Sequence, residues 1–184
     1  YKKSRMFGKS GRMMPSVTGN LLALLDSQYS TEILLSHHIN GDLSEFGMVI
    51  VPNTTVLEDE IFASLVKFAE NGGVLIVTGD ESVALFEKEL GIKCGQIPEE
   101  ETIFYVESGG KYGVVKQKNR SAETCGAKVV RYARLGGDGQ EQPEIPVVFE
   151  NSIGKGKIIG VTFDLGWAYT DDKSAALADF CAEL

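Results

Sequence analysis

A sequence of 184 residues, 43% of them hydrophobic, is long enough to bury a substantial core within one domain. The net charge is −8 at pH 7 and no stretch gathers more than a few basic residues, so we expect no nucleic-acid partner. No apolar run approaches the roughly 20 residues of a membrane span and no targeting segment is recognisable. We therefore expect a soluble chain without a membrane partner, and the compartment stays open.

The cysteine pattern argues against two common kinds of site. Cys94, Cys125 and Cys181 are an odd number at wide spacings, which is typical of neither a disulfide framework nor a zinc site. We interpret them as ordinary thiols. The sequence indicates no metal and no cofactor.

The first 14 residues are basic and glycine-containing, and we predict that they form a mobile segment. Gly8-Lys9-Ser10 resembles part of a phosphate-binding loop. The spacing is wrong, however, because Lys3 stands where such a loop requires glycine, and no apolar strand precedes it. We predict a single α/β domain over residues 15–184.

The domain is expected to open with a helix over 15–25 and a strand over 32–36. An α/β domain normally places a strand before its first helix, and no stretch here qualifies. That strand either lies outside this sequence or comes from elsewhere in the chain.

Residues 47–79 predict a strand, a helix and a second strand. Met48–Val51 is a short β-branched run that ends at Pro52, and residues 74–77 form a second such run. Thr55 and Glu58 have the spacing of a capping box, and Asn71-Gly72-Gly73 is typical of a helix end. Two apolar strands joined through a helix predict a parallel pair with a right-handed crossover.

Later segments predict a second helix, a group of short strands, a hairpin and a final helix. The second helix covers 80–90, and alternating runs at 103–106, 112–115 and 129–132 indicate a small β excursion around 100–135. Residues 147–150 and 157–163 flank a glycine-containing connection and predict a late antiparallel hairpin. Residues 172–184 predict the last helix, with Asp171-Asp172 as its N-cap.

Candidate functional residues follow the predicted strands, because ligands of open α/β sheets bind beyond the carboxyl ends of the strands. Asp80 and Glu81 follow the second strand, and Asp164 follows a later one. Two of these carboxylates form an acid/base pair, or all three are ordinary helix caps. Trp167 and Tyr169 lie just beyond Asp164, and these two aromatic residues are compatible with sugar stacking, a protein interface or core packing. The candidates for ligand binding or an interface are Asn53, Thr54, Asp80, Glu81, Asp164, Trp167 and Tyr169.

We expect no catalytic residue in this set. Ser82 lies in the first turn of a predicted helix without the surrounding pattern of a nucleophile elbow, so a helix-start polar role is favoured. His37 and His38 are adjacent, which on a strand would point them to opposite faces, and we interpret them as surface or loop residues rather than metal ligands.

Three stretches carry a resemblance to a known family. VIVPNTT (49–55), FAENGGVLIVTG (68–79) and GKGKII (154–159) resemble the class I glutamine amidotransferase-like superfamily, and within it the β-galactosidase trimerisation domain of family-42-type glycosidases. The resemblance implies a flavodoxin-like three-layer domain with a mostly parallel sheet. It places the amidotransferase cysteine position near Asp80 or Glu81, and the family's late histidine is absent around residues 164–169.

This resemblance implies a non-catalytic accessory or oligomerisation domain of a carbohydrate-active enzyme, whose partners are other domains of the parent chain and further copies of itself. In such glycosidases the domain follows a (β/α)8 barrel. The alternative is a small-molecule or sugar-binding site, hydrolytic or not, at the carboxyl edge of the sheet, with carbohydrate as the candidate ligand. A serine or cysteine hydrolase is a third hypothesis.

Overall fold

The computed structural model describes residues 13–36, 39, 42–136, 143–172 and 174–184. Most of the predicted mobile segment 1–14 lies outside these residues, as do His37 and His38. The first helix begins at Met13, two residues before the predicted domain boundary.

In the described part of the chain there are six helices and nine strands. The helices are α1 (Met13–Asp26), α2 (Asp59–Glu70), α3 (Asp80–Leu85), α4 (Glu87–Leu90), α5 (Leu165–Asp171) and α6 (Ala175–Ala182). The strands are β1 (Met48–Val51), β2 (Val74–Thr78), β3 (Ile92–Cys94), β4 (Thr102–Ser108), β5 (Lys111–Gln117), β6 (Ala122–Thr124), β7 (Lys128–Leu135), β8 (Glu144–Ile153) and β9 (Gly156–Val161).

The predicted α/β class is confirmed, and the predicted β1–α2–β2 unit is present, with β1 at one edge of the sheet. β1 and β2 pair in parallel, from Met48 opposite Val74 to Val51 opposite Val77. α2 ends at Glu70 and is followed by Gly72 at φ 118°, a left-handed conformation that costs glycine least. The predicted capping box is wrong, because the helix begins at Asp59 and its N-cap Glu58 makes no side-chain capping bond.

The expectation of a mostly parallel sheet is wrong. The seven-stranded sheet has the order β1-β2-β9-β8-β7-β4-β5. Only β1–β2 and β2–β9 are parallel, whereas the other four neighbouring pairs are antiparallel. The predicted late hairpin, β8–β9, is where the direction changes, and Gly154 (φ 56°) lies in its turn.

The strands around 100–135 are not a small excursion. β4, β5 and β7 are three members of the main sheet, and only β3 and β6 form a separate two-stranded sheet. The alternating apolar pattern predicts these strands correctly, but it carries no information about which sheet they join.

Three further local predictions are wrong. Residues 32–36 form no strand, and Ile33 and Leu35 are about half exposed at 50% and 47%. The predicted helix 80–90 is broken at Phe86 into α3 and α4. The last helix begins after Ser174, whose side chain accepts from the Leu177 N–H at 3.3 Å, because an additional helix, α5, occupies the preceding residues.

Helices cover both faces of the sheet at β2, as the two directions of its side chains show. Leu75 and Val77 enter the core cluster beneath α2, α3 and α4, whereas Ile76 enters the cluster beneath α1, α5 and α6. This alternation is expected of a strand that is buried on both sides.

Helices α1 and α5 cross in backbone contact at two glycines. A Cβ at Gly166 would lie 1.9 Å from the Ser16 carbonyl oxygen, and one at Gly19 would lie 1.7 Å from the Gly166 carbonyl oxygen. The crossing therefore requires glycine at both positions, and it holds α1 beside the residues that follow β9.

We expect Gly166→Ala to lower the free energy of unfolding by about 1–3 kcal/mol, because the added methyl group must push two backbones apart. Urea denaturation followed by circular dichroism measures this change. Gly47→Ala is the matched control, since a Cβ at Gly47 meets nothing within 4 Å. Equal unfolding free energies for the two variants would contradict the close crossing.

Candidate functional site

The carboxyl ends of β1 and β2 are joined by the side-chain amide of Asn53. Its Nδ2 donates to Asp80 Oδ1 at 3.3 Å, and its Oδ1 accepts from the Glu81 N–H at 3.2 Å. The side chain also lies against Gly79 (φ 99°), where an added Cβ would come within 2.2 Å of Asn53 Cγ. Asn53 therefore packs onto the turn between β2 and α3, at which the family resemblance places a nucleophile.

Ser82, next in this turn, has a fully engaged hydroxyl. Its Oγ accepts from the Thr54 N–H at 2.8 Å and donates to the Pro52 carbonyl at 2.9 Å. The residue is completely buried. Ser82 therefore connects α3 to the chain after β1, as the favoured helix-start interpretation implies.

Asp164 follows β9 and is the most deeply buried carboxyl group of the site, with 6% of the residue exposed. Its Oδ1 accepts from the Trp167 N–H at 2.9 Å, so it caps α5. Burial raises the pKa of Asp164 above its ordinary value, and the nearby Asp80 raises it further. The Trp167 N–H and the side chains of Ser16 and Asn53 act in the opposite direction.

The end of β5 and the loop that follows it complete the site, and sequence reasoning missed both. Gln117 makes two hydrogen bonds of 2.9 Å with the backbone of Asp164, and Asn119 Oδ1 accepts from Thr162 Oγ1 at 3.0 Å. Arg120 follows, with its guanidinium 4.0 Å from Glu81 Oε2. Its Nε is buried and, within the described part of the chain, has no hydrogen-bond partner.

The structure brings together five of the seven predicted candidates and separates one aromatic residue from them. Asn53, Thr54, Asp80, Glu81 and Asp164 lie at this edge, and we name them, with Arg120, the carboxyl-edge cluster. Trp167 is half-buried and contacts the cluster through its backbone N–H. Tyr169 lies on the buried side of α5 and packs in the core, with its hydroxyl 2.6 Å from Asp26.

Two further groups bear on the chemistry of the edge. Burial and the neighbouring Glu87 raise the pKa of the Cys94 thiol to about 12, which disfavours the reactive thiolate. Across the described ranges, no group of three or more His, Cys, Asp or Glu side chains is arranged to hold a metal ion.

A cavity among the described residues lies at the opposite end of the strands. It has a volume of about 680 Å³ and is lined by residues before β1 and β2, including Phe46, Gly47, Lys67 and Gly73. A second, apolar one of about 30 Å³ lies between α1 and β1. Neither is lined by the carboxyl-edge cluster.

None of the described helices has the length and apolar character that crossing a membrane requires. The sequence matches no family model and no curated protein.

The fold is similar to parts of solved glycosidases. An exo-β-1,4-mannosidase from Opitutaceae bacterium strain TAV5 matches all of this chain over 33% of its own length, with a TM-score of 0.70 and 15% identity. A GH42 β-galactosidase from G. stearothermophilus, solved as a catalytic mutant, matches 91% of this chain over 26% of its own, with a TM-score of 0.65 and 16% identity. The chain thus spans about a quarter to a third of these enzymes.

The same fold also occurs as nearly a whole chain. A cytoplasmic protein from Salmonella typhimurium LT2 matches 90% of this chain over 84% of its own, with a TM-score of 0.59 and 11% identity. These similarities show the fold, which occurs both as a small part of glycosidases and nearly alone.

The raised pKa of Asp164 predicts a pH dependence of stability. The folded state holds the Asp164 proton more tightly than the unfolded state, whose pKa is near 3.8, so stability is greatest below that value and is lost as the pH rises through the folded pKa. We expect Asp164→Asn to remove this loss of stability with rising pH, because the asparagine side chain does not titrate. Urea denaturation of both proteins at a series of acidic pH values measures the difference.

Asp42→Asn is the control of opposite sign. Hydrogen bonds from Ser44 lower the pKa of Asp42, so its contribution is present at higher pH and is lost as the pH falls. Parallel stability curves for Asp164→Asn and the unmodified chain would show that Asp164 titrates normally.

Proposed function

We propose that this chain is a non-catalytic accessory and oligomerisation domain of a carbohydrate-active enzyme with a glycosidase-like parent, acting by protein–protein contacts. The observation that carries the proposal is the close packing of side chains on the β2–α3 turn. The Asn53 side chain packs against Gly79. Asp80 and Glu81 occupy the place where the family resemblance implies a nucleophile. Asn53 hydrogen-bonds to both of them, and Arg120 lies 4.0 Å from Glu81. A turn packed in this way favours a structural role over covalent catalysis.

The finer classification of the fold is part of the same proposal. β1, β2 and β9 form a parallel core that is covered by helices on both faces, which supports a variant of the flavodoxin-like, class I glutamine amidotransferase-like arrangement. The four antiparallel pairs that extend this core depart from that arrangement. The similarity to 26–33% of two glycosidase chains supports a glycosidase-like parent.

The test is made on the full-length gene product. We expect it to contain a separate glycosidase domain and to lose its assembly when residues 13–184 are deleted, because the contacts of this domain stabilise the oligomer. Sedimentation velocity and glycoside hydrolysis are measured on both forms. A monomeric parent whose activity survives the deletion would overturn the proposal.

One observation favours a second function, the binding of a sugar or another small molecule at the carboxyl-edge cluster. Asp164 is a buried carboxyl group beside Asp80, and Arg120 keeps a buried Nε without a partner among the described residues. A hydroxyl oxygen of a bound ligand would accept from the Arg120 Nε–H, and another hydroxyl group would donate a further hydrogen bond to Asp164. The half-buried Trp167 follows Asp164 at the same edge, and an aromatic side chain suits stacking on a sugar ring.

Calorimetric titration with galactose and mannose tests this alternative. We expect Asp164→Ala to weaken any binding at the cluster by about tenfold or more, since a hydrogen bond to a charged group contributes about 1.5–3 kcal/mol. Asp171→Ala is the matched control, because Asp171 is exposed on the same helix. Unchanged titrations for both variants would place the binding elsewhere.

A further inference from the structure

The strand β1 forms one edge of the seven-stranded sheet, yet it has the composition of an interior strand. Its sequence, Met-Val-Ile-Val, is wholly apolar, as is typical of parallel strands that are buried on both faces. Val51 belongs to the core cluster beneath α2, whereas Met48 and Ile50 pack against the cluster beneath α1. Residues 48–50 nevertheless remain only partly buried, while residues 75–77 of the neighbouring β2 are at most 3% exposed.

The opposite edge of the sheet is protected in a way that β1 is not. Native sheets protect their edge strands with lysine, with bulges or with a covering segment. β5 carries Lys111 and Lys116, and its Val114 N–H donates to Asp172 Oδ2 at 3.3 Å. β1 has no charged residue, no proline and an unbroken register with β2. Across the described ranges, the backbone groups on its outer side make no hydrogen bond to other backbone groups.

Helix α1 runs in the direction of a helix that follows a parallel strand. Near its start, Ser16 Oγ accepts from the Asn53 N–H at 3.1 Å, just beyond the carboxyl end of β1. One turn later, Asn20 Nδ2 donates to Thr78 Oγ1 at 3.4 Å, and the end of the helix lines a small cavity with Met48, the first residue of β1. α1 therefore begins at the carboxyl edge and returns to the amino ends of the strands. A strand that leads into α1 would end at the carboxyl edge and would run parallel to β1.

The handedness of the connections places that strand beside β1. α2 joins β1 to β2 across one face of the sheet, and α1 lies on the other face. Because crossovers between parallel strands are right-handed, a connection across the opposite face steps along the sheet in the opposite direction. The strand after α1 therefore lies farther from β2 than the strand before it. The positions from β1 to β5 are occupied, so the strand before α1 fits the free edge of β1, and the next strand lies outside it.

Residues 32–36 are suited to be that outermost strand. The sequence predicts a strand here, but none forms in the structure, and Ile33 is 50% exposed. Tyr29, just before this segment, lines the cavity next to β1, and Leu34 packs against the cluster beneath α2. Thr31 Oγ1 is buried and has no hydrogen-bond partner within the part of the chain that the structure describes. A strand between this segment and β1 would give the segment the ladder partner that it lacks.

We propose that a further strand pairs in parallel with the free edge of β1, that residues 32–36 pair with its other side, and that the parent chain directly before Tyr1 supplies it. Residues 1–12 contain no apolar run longer than Met6-Phe7, so their sequence does not provide a buried parallel strand. The added strand is a short and continuously apolar run like β1, because both of its faces are buried. The inference rests on the proposed function only in that both make this chain part of a longer one.

Amide hydrogen exchange, measured by mass spectrometry on the full-length gene product and on the 184-residue chain, tests the inference. In the full-length protein we expect residues 32–36 and 48–51 to exchange about tenfold or more slowly, because a strand paired on both sides opens only together with its sheet. An apolar stretch directly before Tyr1 should be protected as well. Residues 111–117 of β5, at the opposite edge, are the matched control and should exchange alike in both forms.

Two proline substitutions test the pairing of residues 32–36. Successive N–H groups of a strand point to opposite sides, so one of Ile33 and Leu34 donates to the added strand in either register. Proline removes that donor, and we expect at least one of Ile33→Pro and Leu34→Pro to speed exchange over residues 32–36 of the full-length protein by about tenfold or more. Retained protection of β9 verifies that each variant is folded. Unchanged exchange in both variants overturns the pairing.

Equal exchange over residues 48–51 in the two forms overturns the inference, as does protection there without a protected stretch before Tyr1. Protection that develops in the 184-residue chain as its concentration rises also overturns it and assigns the edge to a second copy. A protected full-length protein that is monomeric and stays active without residues 13–184 keeps the added strand and rejects the proposed function. One that loses its assembly on deletion, yet lacks the protection, keeps the accessory role and rejects the added strand.

Discussion

The arrangement of the carboxyl edge depends on one side-chain amide. Asn53 follows β1, yet its two polar atoms bind Asp80 and the N–H of Glu81, which follow β2. An amide suits this position because it donates and accepts at once, so it can satisfy a carboxylate and a helix N-terminal N–H together. The close approach is possible because residue 79 is glycine, which has no Cβ to collide with the amide.

Asp164 shows how this edge balances burial against hydrogen bonding. A carboxylate at the start of α5 is favoured by the Trp167 N–H, and it is opposed by loss of hydration and by the charge of Asp80. The resulting raised pKa is the kind of perturbation found at functional sites, but helix caps in ion-pair networks show it as well. The proposed structural role and the alternative binding role therefore use the same buried carboxyl group, that of Asp164.

The change from parallel to antiparallel pairing determines which faces of the sheet the described helices cover. β1, β2 and β9 run parallel and require helices on both faces, whereas the hairpin from β8 to β9 reverses the direction of the sheet. Beyond the hairpin, the described helices cover only one face of β7, β4 and β5. The same connection thus separates the parallel strands, which helices cover on both faces, from the antiparallel extension.

The sequence by itself determined the β1–α2–β2 unit, the late hairpin and the polar residues that follow β1, β2 and β9. Its signals there are local: β-branched runs, glycines at turns and apolar spacing along a helix. Five of the seven candidate residues lie together for the same reason, since neighbouring parallel strands bring their carboxyl ends to one edge.

Only the tertiary structure decided how distant segments combine. It placed Tyr169 against Asp26 in the core, brought Arg120 to the edge through Gln117 and Asn119, and inserted β7, β4 and β5 into the main sheet. A strand pattern of period two states which residues share a face, but not which strand lies alongside. Strand partners and the burial of single polar groups depend on packing between residues far apart in sequence, which no local pattern encodes.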